Sequence, residues 1–351
     1  MILFKYFKLL ALSLIISLAL SGCSEKTQKS SAANFDEQPP RVFLSAPQKT
    51  SAVAGFGYAV DIERTKRDLS TLTNDIGSRL IGTSGNGEAA DYIYKCLEEA
   101  GYVADNLSRM PFLALDKKTE NIIARIPTSS KDSKIFVLSA HYDSMSCDAA
   151  IDNASGVTAL LELSRHLISA SANSAYEVRF CFFSGEEFGY IGACNYLASL
   201  DAAERDRICA VVNIDMAGGT KGRASNTLTV TTLGGDDKNG EYHDFSLYNP
   251  RSNFVSDVFD ESFSSLSLNV SNYASPIFNM KTDLQAFHYY KIPGVTVSWR
   301  EYDPPRATAS GGQATPLEMH EKTDTYDNFD MDGLESTILL VESAVSKLLE
   351  K

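Results

Sequence analysis

The chain has 351 residues, of which 44% are hydrophobic and 22% are charged, and its formal net charge is −13. This length and composition predict a globular protein with a sizeable core, built as one large domain or two smaller ones. The acidic excess argues against a nucleic-acid partner or an anionic membrane surface, because either would need basic patches.

The first residues have the pattern of an export signal. Lys5 and Lys8 flank the start of the apolar run LLALSLIISLAL, which is too short to span a membrane comfortably. The run ends in LSGC, which resembles the lipobox of bacterial lipoproteins, so we expect residues 1–22 to be removed and Cys23 to be lipidated. An ordinary secretory leader followed by a chance cysteine is the alternative. Both interpretations predict an exported protein, and the first predicts an anchor in the cell membrane or the outer membrane.

Residues 23–55 are rich in Ser, Lys, Ala and Pro, and few apolar residues recur with any period. This composition predicts a flexible tether. We expect residues 56–351 to form the folded domain.

Helical and strand patterns alternate along that domain. In chain order they predict a helix at 61–75, a helix at 85–102, strands at 102–113 and 121–126, a strand at 134–144, a helix at 154–169, a strand at 176–183, a helix at 189–200, strands at 208–216 and 226–234, a helix at 252–268, a strand at 293–299 and a helix at 332–350. Several strands are apolar on both faces, which predicts an α/β domain with a mixed, mostly parallel central sheet and helices on both faces. In such folds the site lies beyond the carboxyl ends of the strands.

Polar residues follow the central strands at that edge. They are His141, Asp143, Asp152, Glu186, Glu187 and Asp215. Singly, each has a structural explanation: Asp152 could be a helix N-cap, Asp215 could end a strand in solvent, and His141 could be a core histidine. Together, so many carboxylates would repel one another, and one or two divalent cations are the simplest remedy.

Two further features bear on this site. Glu186 and Glu187 are adjacent, and adjacent residues at the end of an extended strand point in opposite directions, so one could bind a metal while the other moves a proton. His320 opens the stretch HEKTDT, which is not the H-E-x-x-H zinc motif because position 324 is Asp. Asp324 could instead orient the His320 imidazole.

The stretches HYDS, IDNASG, GEEFG, NID and HEKTDT, in this order, resemble the M28 family of zinc aminopeptidases. The upstream IGSRLIGTSGNGEAADYI resembles the start of that domain. The resemblance implies two zinc ions, one bound by His141 and Asp215, the other by Glu187 and His320, with Asp152 bridging, Glu186 as general base and Asp143 supporting the first site. It further implies an aminopeptidase that acts on peptides with a free N-terminus.

Two alternatives remain open at this point. A glutaminyl cyclase has the same fold with a single zinc, although that branch usually carries extra residues after the Glu pair. A degenerate, metal-free binding or receptor domain is the second. Two departures from the family pattern are also present: Leu284 stands where many members have His, and the loop MSCDAAI lacks the Gly often found there.

Overall fold

The computed structural model describes residues 42–45, 58–130, 132–170, 175–232, 253–278, 281–302, 313–314 and 319–350. One compact unit spans Arg41–Lys351. The predicted leader, Cys23 and most of the predicted tether lie outside the described residues. No helix in the described part of the chain is long and apolar enough to cross a membrane.

Ten strands in the described residues form one sheet. They are β1 (Val42–Ser45), β2 (Leu107–Ala114), β3 (Lys117–Ile126), β4 (Ile135–His141), β5 (Glu177–Phe183), β6 (Ile208–Ile214), β7 (Asn226–Thr232), β8 (Asn272–Phe278), β9 (Gly294–Tyr302) and β10 (Gln313–Ala314). Their spatial order is β1-β8-β7-β9-β6-β4-β5-β3-β2, and β10 pairs with β9.

The centre of the sheet is parallel and its margins are mostly antiparallel. β9 pairs parallel with β6, β6 with β4, and β4 with β5, and β7 pairs parallel with β8. The β2–β3 hairpin, the β3–β5 pair, the β7–β9 pair and the short β1 and β10 pairings are antiparallel. The predicted mixed sheet is therefore confirmed.

Helices cover both faces of this sheet. They are α1 (Ile62–Ser70), α2 (Ser84–Glu99), α3 (Ser155–Ala170), α4 (Ile191–Ser199), α5 (Ala202–Arg207), α6 (Asn253–Ser265), α7 (Leu284–Tyr289) and α8 (Met331–Glu350). In the larger core, one face of the sheet packs against α1, α2, α3, α6 and α8. The smaller core packs α4 and α7 against the other face. Because β4 is covered on both sides, all seven of its residues are buried, which explains why its first four residues are all apolar.

One predicted boundary needs correction. β1 lies within residues 23–55, yet it pairs antiparallel with β8 over Val42–Ser45 and Asn272–Ser275. These four residues are part of the sheet rather than of a tether. The apolar run VFL is too short to stand out from its polar surroundings, and only the partner strand gives it a place.

Candidate metal centre

The predicted site residues lie together at the carboxyl ends of the parallel strands. The site draws on the ends of β4, β5 and β6 and on the turns that precede α3 and α8. The residues are His141, Asp143, Asp152, Glu186, Glu187, Asp215 and His320.

His141, Asp152 and Asp215 form a first donor group, and all three are buried. Nε2 of His141 lies 3.1 Å from Oδ1 of Asp152 and 3.5 Å from Oδ1 of Asp215. On the other side of the ring, Nδ1 lies 3.2 Å from the main-chain oxygen of Asp143. A carbonyl oxygen can only accept, so this contact assigns the proton to Nδ1 and directs the Nε2 lone pair at the two carboxylates.

Asp152, Glu187 and His320 form a second donor group. Nε2 of His320 lies 2.9 Å from Oε2 of Glu187 and 3.3 Å from Oδ2 of Asp152. His320 has a φ of +63°, a conformation that is uncommon outside glycine. Such conformations cluster at functional sites, and here the backbone turn directs the imidazole toward Glu187 and Asp152. The two groups meet at Asp152, which offers one carboxylate oxygen to each.

Electrostatics indicates that a cation belongs at both places. Burial alone would lower the pKa of His141, but the carboxylates of Asp143, Asp152 and Asp215 raise it well above its ordinary value. Hydrogen bonds that the His320 ring donates to the carboxylates of Asp152 and Glu187 likewise raise the pKa of His320 to about 10. The surrounding carboxylates thus stabilise a positive charge at both imidazoles. A bound metal ion would supply that charge in place of a proton.

The polar atoms in these groups fit metal ligands. Nε2 of His141, Oδ1 of Asp152 and Oε1 of Glu187 are buried without a hydrogen-bond partner among the described residues. Buried polar atoms are almost always paired by hydrogen bonds. Unpaired nitrogen and oxygen atoms in the two groups therefore indicate that a metal ion binds there. Imidazole nitrogen and carboxylate oxygen are donors that suit zinc. The residues present therefore fit the metal that the sequence predicts.

Asp143 connects the two halves of the site. Its carboxylate is fully buried, and Oδ1 lies 3.5 Å from Nδ1 of His141. The same carboxylate accepts hydrogen bonds from the main-chain N–H groups of Glu186 and Glu187 at 3.1 and 3.4 Å. One side chain thereby holds both an imidazole of the first group and the turn that carries the glutamates.

Glu186 and Glu187 occupy different surroundings. They lie on a 3₁₀ turn, Glu186–Phe188, flanked by glycines with positive φ, rather than on the extended strand end that the sequence suggested. Glu187 belongs to the second donor group, whereas Glu186 belongs to neither and faces the cavity. Burial raises the pKa of Glu186 well above its ordinary value, with the carboxylates of Asp215 and Asp283 adding to the effect. A carboxyl of raised pKa beside a metal site suits proton transfer.

Asp152 is not the cap of α3. That task falls to Asn153, whose Oδ1 accepts from the N–H of Gly156 at 2.9 Å and from the N–H of Met216 at 3.1 Å. Its Nδ2 donates to the main-chain oxygen of Ile214 at 3.0 Å. Asn153 thus ties the start of α3 to the end of β6 and leaves the neighbouring Asp152 carboxylate free to face both donor groups.

Arg79, a buried residue outside the predicted site, holds the loop before Asp152. The guanidinium of Arg79 donates to main-chain oxygens along it, including those of Tyr142, Asp148 and Ala149 at 2.8, 2.8 and 3.0 Å. Ala149 has a φ of +52°, so the missing glycine is replaced by a strained alanine that Arg79 holds in place.

Asp324 has a different partner from the one expected. Its carboxylate accepts from the N–H groups of Ile151 and Asp152 at 2.6 and 3.2 Å rather than from the His320 ring. It therefore positions Asp152, the residue that the two donor groups share. Leu284, at the departure from the family pattern, is buried in the smaller core and contributes packing instead of a polar group.

A cavity of about 430 Å³ opens over the two donor groups. It is lined by Asp152, Glu186, Glu187, Asp215 and His320 together with Tyr190, Lys281, Arg300, Gly189, Met216 and Met319. Four of the five candidate ligands and the candidate base thus share one opening to solvent.

Comparison with known proteins identifies the family. The sequence profile of peptidase family M28 matches residues 121–345, which is more than half of the chain. The chain belongs to peptidase family M28. The M28 recognition from the five ordered motifs is confirmed.

Named relatives of this M28 chain include peptidases. It is 32% identical over 182 residues to leupeptin-inactivating enzyme 1 of Streptomyces exfoliatus and 36% identical over 188 residues to aminopeptidase YwaD of Bacillus subtilis. These matches cover 50% and 53% of this chain but only 40% and 39% of those proteins. A shorter match, 40% identical over 100 residues, covers 28% of this chain and 20% of the probable lipoprotein aminopeptidase LpqL of Mycobacterium tuberculosis.

Solved structures confirm the fold of this M28 chain. BSAP, a zinc aminopeptidase from Bacillus subtilis, superposes with a TM-score of 0.64 at 17% identity, covering 83% of this chain and 95% of that one. The glutaminyl cyclase of Porphyromonas gingivalis superposes with a TM-score of 0.63 at 18% identity, covering 82% and 99%. The fold is therefore shared by both activities and does not choose between them.

Proposed function

We propose that this chain is a zinc-dependent aminopeptidase with two zinc ions at the described centre. The observation that carries the proposal is the position of Asp152, whose two carboxylate oxygens lie 3.1 Å from His141 and 3.3 Å from His320 in two separate donor groups. A carboxylate shared in this way suits a bridging ligand. Asp215 would complete the first site and Glu187 the second.

The chain's own residues divide the chemistry between them. Zinc, when bound, supplies Lewis acidity to the scissile carbonyl and to the attacking water. Glu186, outside both donor groups, accepts the proton of that water and delivers it to the leaving amine. Asp143 holds the His141 ring and the Glu186–Glu187 turn, so it positions ligand and base relative to each other.

The acidic lining of the cavity favours a substrate with a free α-amine. Carboxylate oxygens of Glu186 and the ligand residues accept hydrogen bonds from an incoming amine. An amine bound there brings the first peptide carbonyl to the metal site, because two bonds separate the amine nitrogen from that carbonyl carbon. This fixes the cut after the first residue and disfavours internal cleavage.

The cyclase alternative has the shared fold in its favour. Two features weigh against it: the second donor group, and the short connection of two residues, Gly189 and Tyr190, between the Glu186–Phe188 turn and α4. A metal-free binding domain is disfavoured because all five candidate ligands and the base are present and converge.

We further propose that the mature chain begins at a lipidated Cys23 and that the catalytic domain lies outside the cytoplasm. The LSGC motif supports this, and one relative bears the name of a probable lipoprotein aminopeptidase. Residues between Cys23 and the sheet would tether the domain to the membrane.

Metal content measured together with a substrate panel tests the proposal. We expect close to two zinc ions per chain by elemental analysis, loss of activity on chelation and recovery on addition of zinc. Leucine and alanine p-nitroanilides should be cleaved, and their N-acetyl forms should react far more slowly. Full activity in metal-stripped protein, or equal rates on blocked and free substrates, would overturn it. A single tight zinc with release of pyroglutamate from an N-terminal glutamine peptide would establish the cyclase instead.

A further inference from the structure

Arg300 lines the same cavity as the candidate ligands, and its direction follows from strand geometry. It follows Trp299 on β9, and the buried Trp299 indole donates to Oγ1 of Thr337 on α8. Side chains alternate along a strand, so Arg300 points to the opposite face. On that face Thr296 contacts Thr282, which precedes α7. The strand therefore directs a guanidinium into the opening over the metal centre.

The Arg300 guanidinium is unpaired within the described part of the chain. It makes no ion pair there, and its Nε is buried without a hydrogen-bond partner. Arginines of the structural kind look different in this protein: Arg79 donates to several carbonyl oxygens, and Arg179 pairs with Glu177 and Glu204. A buried N–H without a partner costs free energy, which a bound group would recover.

A counter-charge role for Arg300 does not explain this arrangement. Its positive charge does act on Asp215 and Asp152, but neither carboxylate lies within ion-pair distance of it. A residue kept only to offset those acids would be expected to contact them. Lys281 adds a second cation to the lining of the same cavity, is exposed, and likewise has no ion-pair partner among the described residues.

From this geometry, and resting on the proposed aminopeptidase function, we propose that Arg300, assisted by Lys281, binds a carboxylate of the peptide substrate. The planar fork of a guanidinium matches a carboxylate with two parallel hydrogen bonds, and carboxylates are the anionic groups that peptides carry. The substrates favoured by this site therefore carry a carboxylate close to the N-terminal amine, although the ligand and base residues around the cavity are themselves acidic.

Two parts of a peptide offer such a carboxylate. One is the side chain of an N-terminal Glu or Asp. The other is the C-terminal carboxylate of a dipeptide, which would make the chain prefer very short peptides. Both have the same chemistry, and matched neutral substrates separate them.

The test uses the zinc-loaded protein and two substrate pairs that differ only in charge. The first pair is the p-nitroanilides of Glu and Gln, and the second is Ala-Ala and Ala-Ala amide. We expect the wild type to prefer the charged member of one pair, and the Arg300→Gln variant to lose about 10- to 100-fold in kcat/KM on that member. The loss should fall mainly on KM, and the neutral substrates should be unaffected. Arg300→Lys should recover part of the preference, and Lys281→Gln should show a smaller loss because Lys281 is exposed.

A preference within the first pair assigns the carboxylate to the N-terminal side chain, and a preference within the second assigns it to the C-terminus. The exposed Arg67 on α1 provides the control, since Arg67→Gln removes the same charge away from the cavity and should change neither pair. Equal loss on all four substrates in Arg300→Gln, or no charge preference in the wild type, would overturn the proposal.

Binding separates this inference from the proposed function. If no substrate is hydrolysed, the aminopeptidase proposal fails, and calorimetry with L-glutamate, L-glutamine and Ala-Ala still tests the carboxylate site. The site would be supported if the wild type binds L-glutamate more tightly than L-glutamine and Arg300→Gln loses this difference. It would also be supported if the wild type binds Ala-Ala and Arg300→Gln does not. Indistinguishable binding to both proteins would refute it.

Discussion

The different surroundings of the two adjacent glutamates lead to opposite expectations for their amide variants. Glu186→Gln keeps the size of the side chain and removes its ability to accept a proton. The main-chain N–H of Glu186, which donates to Asp143 at 3.1 Å, is unchanged, so the turn should stay in place. Glu187→Gln instead replaces an anionic donor whose Oε2 lies 2.9 Å from His320 by a neutral amide.

The expected magnitudes differ accordingly. Loss of a positioned general base costs roughly 10²–10⁴ in rate, or about 2.7–5.5 kcal/mol of barrier, and for Glu186→Gln we expect this loss in kcat with zinc content unchanged. For Glu187→Gln we expect zinc to be lost from the second group. The fall in zinc affinity should exceed the ~10–100-fold that follows the loss of a residue that only supports a ligand.

Two measurements on each purified variant distinguish these outcomes: zinc per chain by elemental analysis, and kcat with KM on leucine p-nitroanilide. Thermal unfolding should be recorded in parallel to exclude general misfolding. Zinc loss in Glu186→Gln with intact zinc binding in Glu187→Gln would reverse the assignment within the pair.

Three further changes probe the support of the site and its anchor. Asp143→Asn removes the negative charge beside the His141 ring, so zinc affinity measured by competition with a chelator should fall about 10- to 100-fold; unchanged affinity would contradict a positioning role. Gly156→Ala would put a Cβ 2.3 Å from Oδ1 of Asn153, so the free energy of unfolding in denaturant should drop by about 1–3 kcal/mol, and a wild-type midpoint would count against this packing. Cys23→Ala should move the protein from the membrane fraction to the soluble fraction without changing kcat; an unmodified, membrane-free wild type would rule out the lipid anchor.

The sequence could predict the position of the site because parallel strands end at one edge of a sheet. β4 and β6 are mostly apolar and almost wholly buried, so the polar residues at and just beyond their carboxyl ends had to lie at that edge. This places His141 and Asp215 near each other without any knowledge of the partner strands. His320 lies in no such position, and only its motif brought it into the predicted set.

Strands near the margin of the sheet were harder to predict for a physical reason. β8 has the sequence NYASPIF, and the proline, which lacks an N–H donor, weakens a strand signal. Its pairing with β1 stops at Ser275, just before that proline. The short helices α5 and α7, of six residues each, are likewise too brief to show helical periodicity.

The contacts that hold the site could not be predicted from the sequence, because they join residues that are far apart along the chain. Asp324 reaches the N–H of Ile151 across 173 positions, and nothing in HEKTDT indicates that partner. Burial raises the pKa of Asp324 to about 7, which reflects how completely this carboxylate is enclosed. Sequence patterns identify residue types suited to a metal, whereas the backbone groups that those residues support become visible only in the folded chain.

The loop between β4 and α3 shows why such support is needed. Ala149 within it has a strained left-handed conformation. Arg79 compensates with hydrogen bonds to main-chain oxygens of this loop, and Asp324 does so with bonds from its main-chain N–H groups. Because the two side chains carry opposite charges and take opposite hydrogen-bonding roles, together they satisfy backbone donors and acceptors that burial would otherwise leave unpaired. The position of Asp152 between the two donor groups is therefore set by buried charge and backbone hydrogen bonding. The same interactions that stabilise this part of the fold determine the spacing of the candidate metal ligands.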